Sequence, residues 1–262
     1  MLALAVLLAI PVGMWLGQSL LLRRAGLPLR WRLGARALPE RLKRLNRALT
    51  YVLLVAAVLI YPVLRDSSPL RYYAAYFPAG PRPLELLHGL AASVLYLALL
   101  FLAWTLTDNV RFEIRHSAPR LIRRLAGVPF MALLIALVEE LLFRAVLLSD
   151  LLETLPAPVA ISVGVLAFAG AHYVRSVKRY WTFPGHLALG TLLCLAFVWT
   201  RGLWLPIGLH AGGILMLMGT RPLIRYVGPA WLVGASIFPY AGVVGLAGLA
   251  AITLNMWLSY GN

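Results

Sequence analysis

The sequence is short of cysteine and of acidic residues. It has one cysteine, Cys194, and nine acidic residues against 24 lysines and arginines. A single thiol excludes an intramolecular disulfide and a cage of cysteine thiolates around a metal ion. Charged residues make up 13% of the chain and hydrophobic residues 61%, a balance that excludes an ordinary soluble globular domain.

Long apolar runs predict an all-α, polytopic transmembrane bundle. A hydrocarbon core of about 30 Å needs about 20 apolar residues in a helix. Eight runs qualify: 2–22, 48–64, 84–106, 125–148, 156–173, 183–200, 203–219 and 229–258. No basic residue precedes the apolar part of the first run, so we interpret that run as a transmembrane helix. The last run is long for one crossing, and Pro239 could kink it or split it in two.

Positive charge is concentrated between the apolar runs. Clusters of lysine and arginine lie within 23–47, 111–124, 175–179 and 221–225, and the net charge is +15. Alternating spans place all four clusters on one side, which the positive-inside rule makes cytoplasmic. We therefore attribute the excess of positive charge to the membrane topology and to attraction for anionic lipid. We expect no nucleic-acid partner. The abundance of arginine, leucine, alanine and glycine predicts a GC-rich bacterial source and an inner-membrane location.

Two adjacent glutamates lie inside the fourth run, in the stretch LVEELLFRAV. Glu139 and Glu140 are the only acidic residues well inside an apolar run. An ionised acid at mid-membrane costs about 2.5 to 3.5 kcal/mol or more, so such residues indicate function. Glu140 and Arg144 would share a helix face with the acid before the base. Glu139 is rotated by about 100° from its neighbour and needs another partner.

Histidines in the next three runs are the candidate partners of Glu139. His172, His186 and His210 lie in or beside these runs, whereas His88 and His116 look peripheral. A carboxylate beside an imidazole can take a proton from water, and a second imidazole can donate to an oxyanion. These groups suffice for amide hydrolysis. The alternatives are packing histidines, or the proton relay of a transporter.

Three segments resemble the CPBP intramembrane proteases, which include the type II CAAX prenyl endopeptidases and the bacterial Abi proteins. EELLFR fits the EExxxR motif, FAGAH fits FxxxH, and LWLPIGLHAGG is similar to the third, histidine-bearing segment. The likeness covers about 125–220. It implies that Glu139 and His172 activate the attacking water and that His210 helps to hold the oxyanion.

The resemblance also implies supporting residues and a domain organisation. Glu140 would pair with Arg144, and Phe168 would shape the pocket. We expect a single membrane domain, in which 1–124 forms peripheral spans and basic loops and 125–220 forms a four-helix catalytic core. The remaining residues, 221–262, would form one or two C-terminal spans.

One position departs from the family pattern. Family members commonly have Asn or Asp four residues after the last histidine, where this chain has Ile214. One oxyanion donor is therefore absent, and His186 or Tyr173 is the candidate replacement. A catalytically silent relative that binds a partner, as immunity or scaffold proteins do, is the alternative function.

The resemblance favours a glutamate-type mechanism without a cofactor. Zinc held by Glu139, His172 and His210 is the alternative, because carboxylates and imidazoles are also zinc ligands. The expected substrate is a membrane-associated protein or peptide. Glu139 and His172 differ in depth by about 10 to 15 Å if their helices are upright. We therefore expect the fifth helix to continue through YVRSVKRYW, which would place His172 deeper.

Overall fold

The protein is an all-α polytopic membrane protein, as predicted. The computed structural model describes residues 2–31, 33, 39–80, 82–114, 116–174, 180–234 and 238–261. Within these ranges, five helices are long and apolar enough to cross a membrane. Each of the eight apolar runs contains a helix.

The helices in chain order are α1 (Leu2–Arg24), α2 (Glu40–Val63), α3 (Pro69–Ala74), α4 (Leu84–Leu106), α5 (Ala118–Ala126), α6 (Val128–Glu140), α7 (Ser149–Leu152), α8 (Ala157–Ala171), α9 (Phe183–Thr200), α10 (Trp204–Thr220), α11 (Ala230–Val233) and α12 (Val243–Tyr260). A π-helical segment, Leu141–Leu148, follows α6. Short 3-10 turns cover Tyr180–Thr182 and Pro239–Ala241. Two strands, β1 (Val110–Phe112) and β2 (Ile224–Tyr226), pair antiparallel.

The membrane-length helices are α1, α2, α4, α9 and α12, while α8 and α10 are shorter apolar helices. The run 125–148 is not one uniform helix. Gly127 separates α5 from α6, and Pro129 lies in the first turn of α6, where its missing N–H costs no helical hydrogen bond. The run 229–258 contains one membrane-length helix, because Pro239 begins a 3-10 turn ahead of α12.

The chain forms two compact units. The first consists of Met1–Ala74 and Leu141–Tyr180, and the second of Ala75–Glu140 and Trp181–Asn262.

In the first unit, small residues bring α1 and α2 together. Gly13 and Gly17 of α1 face Leu53 and Leu49 of α2, and an added Cβ at Gly17 would collide with the Leu49 side chain. Lipid tails are as apolar as leucine, so close packing at small residues is a main source of helix association in a membrane. The glycine spacing therefore places α1 on α2.

A buried carboxylate joins three elements of this unit. Asp150 of α7 accepts a hydrogen bond of 2.8 Å from the Tyr61 hydroxyl of α2 and one of 3.4 Å from the Ala3 backbone N–H of α1. Nearer the surface, the Arg65 guanidinium contacts both carboxylate oxygens of Glu153 at 2.8 and 2.7 Å. Both contacts come from one nitrogen, Nη2, and the hydrogen bond with Glu153 is the main cause of the raised pKa of Arg65.

The predicted extension of the fifth helix is wrong. Helix α8 ends at Ala171, and His172 and Tyr173 form a turn. The last turn tightens, because the His172 N–H bonds to the Ala169 carbonyl, three residues back, at 3.2 Å. The Phe168 carbonyl is instead met by the His172 ring. Residues 175–179 of the predicted extension lie outside the described residues.

In the second unit, glycines bring α4 and α10 into direct backbone contact. A Cβ added at Gly89 would lie 2.6 Å from the Leu205 carbonyl oxygen, and one at Gly212 would lie 2.7 Å from that of Leu90. The Ser93 hydroxyl donates a 2.7 Å hydrogen bond to the Leu209 carbonyl across the same interface. Helix α10 also packs on α6.

The strand pair is a feature that the apolar pattern did not predict. Val110 lies opposite Tyr226, and Phe112 lies opposite Ile224. Val110 and Ile224 pack in a buried cluster with Trp104 at the end of α4. The strands thereby join the segments that follow α4 and α10, each of which carries basic residues.

Candidate active site

The two glutamates are the last two residues of α6. An apolar sequence, VPFMALLIALV, precedes them and forms a regular helix, after which the backbone changes to the π-helical segment. The Glu140 side chain is fully buried, while 23% of the Glu139 side chain is exposed. The adjacent acids therefore have different surroundings.

His210 of α10 lies between the two carboxylates. Its Nδ1 is 2.7 Å from Glu140 Oε1, and its Nε2 is 3.7 Å from Glu139 Oε2. The His210 side chain is itself only 7% exposed. One imidazole thus has a carboxylate at each ring nitrogen, in a largely buried position.

The short contact determines the orientation of the ring. An ionised carboxylate only accepts hydrogen bonds, so the Nδ1–H of His210 donates to Glu140. Such a charge-assisted hydrogen bond is about twice as strong as a neutral one. It fixes the ring with Nε2 directed at Glu139 Oε2, an oxygen that is itself buried although part of the Glu139 side chain is exposed.

Open space lies next to His210 along the same helix. Gly213 is three residues on, about 60° around the helix from His210. A Cβ added there would have nothing within 4 Å, whereas one added at the neighbouring Gly212 would collide with α4. The helix is therefore closely packed at Gly212 and has open space at Gly213, one turn from His210.

In the first unit, His172, Phe168 and Arg144 form an aromatic and cationic cluster. The His172 Nδ1 lies 2.9 Å from the Phe168 carbonyl oxygen, which can only accept, so Nδ1 bears the hydrogen. Nε2 is then the basic nitrogen of the neutral ring. The Arg144 guanidinium lies 4.6 Å from the centre of the Phe168 ring, and Phe143 packs edge-on against the same ring.

His186 belongs to a different cluster of the second unit. Its Nδ1 lies 3.1 Å from the Thr182 carbonyl, and its Nε2 lies 3.4 Å from the Tyr240 hydroxyl. Phe238 packs edge-on against the ring, with the centroids 4.7 Å apart. Both ring nitrogens are thus engaged, a geometry typical of a packing histidine. Tyr173, the other candidate oxyanion donor, lies in the turn after α8.

The structure brings together Glu139, Glu140 and His210. His172, Phe168 and Arg144 belong to the first unit. The proposed pairing of Glu140 with Arg144 and the joint action of Glu139 and His172 stay predictions.

The described part of the chain offers no group of three or more His, Cys, Asp or Glu side chains arranged to hold a metal ion. A zinc–imidazole bond measures about 2.0 to 2.1 Å, and because the His210 Nδ1 is engaged with Glu140, Nε2 is the His210 nitrogen that would bind a metal ion.

Sequence reasoning missed the hydrogen bond between Glu140 and His210. The two residues are 70 positions apart, and no local spacing rule links them. The (i, i+4) rule instead favoured Arg144, because it considers only neighbours on one helix. The excess of acids over bases within the fourth run was the one available signal that a distant partner was needed.

Residues 121–216 match the family model described as type II CAAX prenyl endopeptidase Rce1-like. The matched segment contains all three motifs, so the match confirms the resemblance that they indicated. This segment is therefore similar to a family of type II CAAX prenyl endopeptidases. No curated protein and no solved structure matches the chain.

Proposed function

We propose, on the premise that residues 121–216 belong to the Rce1-like family, that the protein is a glutamate-type intramembrane endopeptidase. It hydrolyses a peptide bond of a membrane-associated protein or peptide, with water activated by glutamate and histidine. The observation that carries the proposal is the position of the His210 ring between Glu139 and Glu140. Buried ionisable groups are costly in a membrane, so such a set indicates chemistry rather than packing.

In the proposed reaction Glu139 is the general base. Its carboxylate takes a proton from water as the water oxygen attacks the carbonyl carbon of the scissile bond. The tetrahedral intermediate collapses when the bond between carbon and nitrogen breaks. Glu139 returns the proton to the leaving amine, so the products are one carboxyl group and one amine. The partial exposure of Glu139 supports this role, because the base must reach water.

His210 stabilises the oxyanion in this scheme. In its protonated form, its Nε2–H donates to the negative oxygen while Nδ1–H stays bonded to Glu140. Glu140 is then a positioning residue that orients the ring and balances its positive charge, as the carboxylate of a catalytic triad does. His172 keeps the water-activating role that the family resemblance implies. The cleavage rate of the His172→Ala variant measures its contribution.

The usual oxyanion donor is missing at Ile214; His186 and Tyr173 stay the candidate replacements, and both ring nitrogens of His186 have hydrogen-bond partners. The proposal therefore assigns a larger share of oxyanion stabilisation to His210. The departure also favours a second candidate function, a silent relative that binds a membrane partner. The two functions predict different results for substitution of Glu139. A protease would form less cleavage product, whereas the function of a silent binding protein would be unaffected.

The proposed cell location is a bacterial inner membrane with the basic segments in the cytoplasm. The four clusters of lysine and arginine support that orientation through the positive-inside rule. In such a cell a peptide precursor or a sorting signal is a better substrate than a prenylated protein.

The test is cleavage by the full chain reconstituted in vesicles with candidate membrane peptides. Glu139→Gln should lower the rate by about 10²- to 10⁴-fold, the usual contribution of general base catalysis. His172→Ala and His210→Ala should also lower it. Glu113→Gln, at an exposed acid of the strand pair, is the control and should retain full activity. Full cleavage by the Glu139 variant would contradict the proposal.

A further inference from the structure

An apolar groove runs lengthwise between α9 and α12 in the second unit. Its volume is about 570 Å³, within the range of small-molecule sites. Ten residues line it, all from these two helices, among them Ala188, Thr191 and Trp199 of α9 and Ala250, Thr253 and Trp257 of α12. The small side chains leave the space open between two membrane-length helices.

The surface of the groove is apolar, although two threonines line it. The Thr191 hydroxyl donates to the Leu187 carbonyl at 2.9 Å, and the Thr253 hydroxyl donates to the Leu249 carbonyl at 2.8 Å. Both hydroxyl hydrogens are thus donated to carbonyl groups within their own helices. A ligand in the groove meets methyl groups and indole rings, which suit an acyl chain.

The length of the groove matches one leaflet of a bilayer. Ala188 and Trp199 are eleven residues apart along α9, which is about 16 Å at 1.5 Å per residue. This is about half of the 30 Å hydrocarbon core. Gly185, near the start of α9, contacts Ala241, just before α12. The two helices therefore begin at the same end, and Trp199 and Trp257 share the other end.

The tryptophan end has the features of a membrane interface. Tryptophan is enriched where the hydrocarbon meets the headgroups. Arg201, two residues after Trp199, is exposed. None of the ion pairs between described residues includes Arg201. Arg82 donates to the Thr200 carbonyl at 2.7 Å and lies near Glu85, so of these two arginines Arg201 is the one that offers its charge to a ligand.

Arg201 is held in a backbone conformation that arginine rarely adopts. It caps α9 with φ of 49° and ψ of 32°, in the left-handed region. Glycine usually occupies such a helix end because a Cβ is unfavourable there. Gly202 follows directly, but the left-handed position itself is occupied by Arg201. A glycine at that position would have no backbone strain. An observed backbone strain of this kind is a pointer to function.

We propose that the groove binds one acyl chain of an anionic phospholipid, with the phosphate at Arg201. The groove supplies shape rather than a hydrophobic driving force, because the surrounding lipid is equally apolar. Selectivity therefore comes from the headgroup, which the guanidinium attracts. This site is separate from the proposed catalytic residues and does not depend on the protease function.

The first experiment measures headgroup selectivity with the full chain. Delipidated protein is equilibrated with vesicles of phosphatidylcholine alone or of phosphatidylcholine mixed with phosphatidylglycerol, and retained lipid is counted by native mass spectrometry. The wild type should retain one phosphatidylglycerol in preference to phosphatidylcholine. Arg201→Gly should lower that preference roughly fivefold, as expected for one basic residue at a lipid surface, and Arg201→Lys should keep it.

The glycine substitution also separates binding from folding. Since Arg201→Gly relieves backbone strain, the variant should unfold at the same or a higher temperature than the wild type. A loss of lipid preference in this stable variant supports the site. An unchanged preference would overturn it.

The second experiment fills the groove. Ala250→Leu should abolish retention of the lipid, while Ala251→Leu, on the exposed neighbouring position of α12, should leave it unchanged. Retention unaffected by Ala250→Leu would refute the proposal. A wild-type dimer that retains no lipid and that Ala250→Leu dissociates would also refute it, because a second copy would then occupy the groove.

Discussion

Glu140 and His210 are joined by a hydrogen bond of 2.7 Å between a fully buried carboxylate and a largely buried imidazole. The bond connects the end of α6 to the middle of α10 and turns the other ring nitrogen towards Glu139. Removing either partner leaves the other polar group buried without its bond, which is the costly case for a low-dielectric environment. The two side chains should therefore behave as one unit.

A double-substitution cycle tests this coupling. Glu140→Gln and His210→Gln should each lower the cleavage rate by about 10²- to 10³-fold, the loss typical of a missing oxyanion donor. The double variant should be little worse than either single variant, because residues that act as a unit give non-additive losses. Rates are measured in single-turnover assays on reconstituted protein.

The control for this cycle combines His210→Gln with Glu113→Gln. Glu113 is an exposed acid that lies 3.7 Å from Arg225 in the strand pair. Its effect should add to that of His210→Gln, because distant sites are independent. Additive losses for Glu140 and His210 would show that the hydrogen bond does not serve catalysis.

Gly213 should determine how bulky a substrate can reach His210. A leucine at this position would fill the open space at Gly213, one turn of α10 from His210. We expect Gly213→Leu to lower kcat/KM for large peptide substrates more than for small ones, through a rise in KM. The measurement is a series of peptides that differ only in the size of one side chain next to the scissile bond.

Gly219 provides the matched control for the Gly213 substitution. It also has open space around it, but it lies nine residues from His210 and so on the opposite face of α10. Gly219→Leu should leave kcat/KM unchanged for the whole series. An equal loss for both variants would assign the effect to folding rather than to substrate access.

Chelation distinguishes the metal-free mechanism from the zinc alternative. With a glutamate-type mechanism, turnover should survive incubation with EDTA and with a zinc-selective chelator. Loss of activity that added zinc restores would favour a zinc site that includes Glu139 and His210. Metal content of the active protein, measured by mass spectrometry, is a second readout that does not depend on the substrate.

The Tyr61 hydroxyl should stabilise the first unit through Asp150. Tyr61→Phe removes the 2.8 Å hydrogen bond to that buried carboxylate. The free energy of unfolding in detergent should fall by about 1 to 3 kcal/mol. Tyr51→Phe, at a half-exposed position of the same helix, is the control and should change it by less than about 0.5 kcal/mol. Equal effects would mean that the hydrogen bond does not matter.

Some features were predictable because they depend on local composition. Apolar runs predicted α4 and α9 with the bounds that the structure has, since a membrane helix must satisfy its backbone hydrogen bonds internally. The end of α8 was not predictable in the same way. At that end the His172 ring contacts the Phe168 carbonyl, and apolarity alone does not determine where a helix stops.

The sequence by itself determined that this chain is a helical membrane protein and that Glu139, Glu140, His172, His186 and His210 are its candidate functional residues. Only the tertiary structure decided which of them meet. Close packing at Gly89 and Gly212 holds α10 against α4, and α10 also packs on α6, the helix that ends in the two glutamates. Packing of this kind depends on the shapes of helices far apart in the chain, and periodicity along one helix does not encode it.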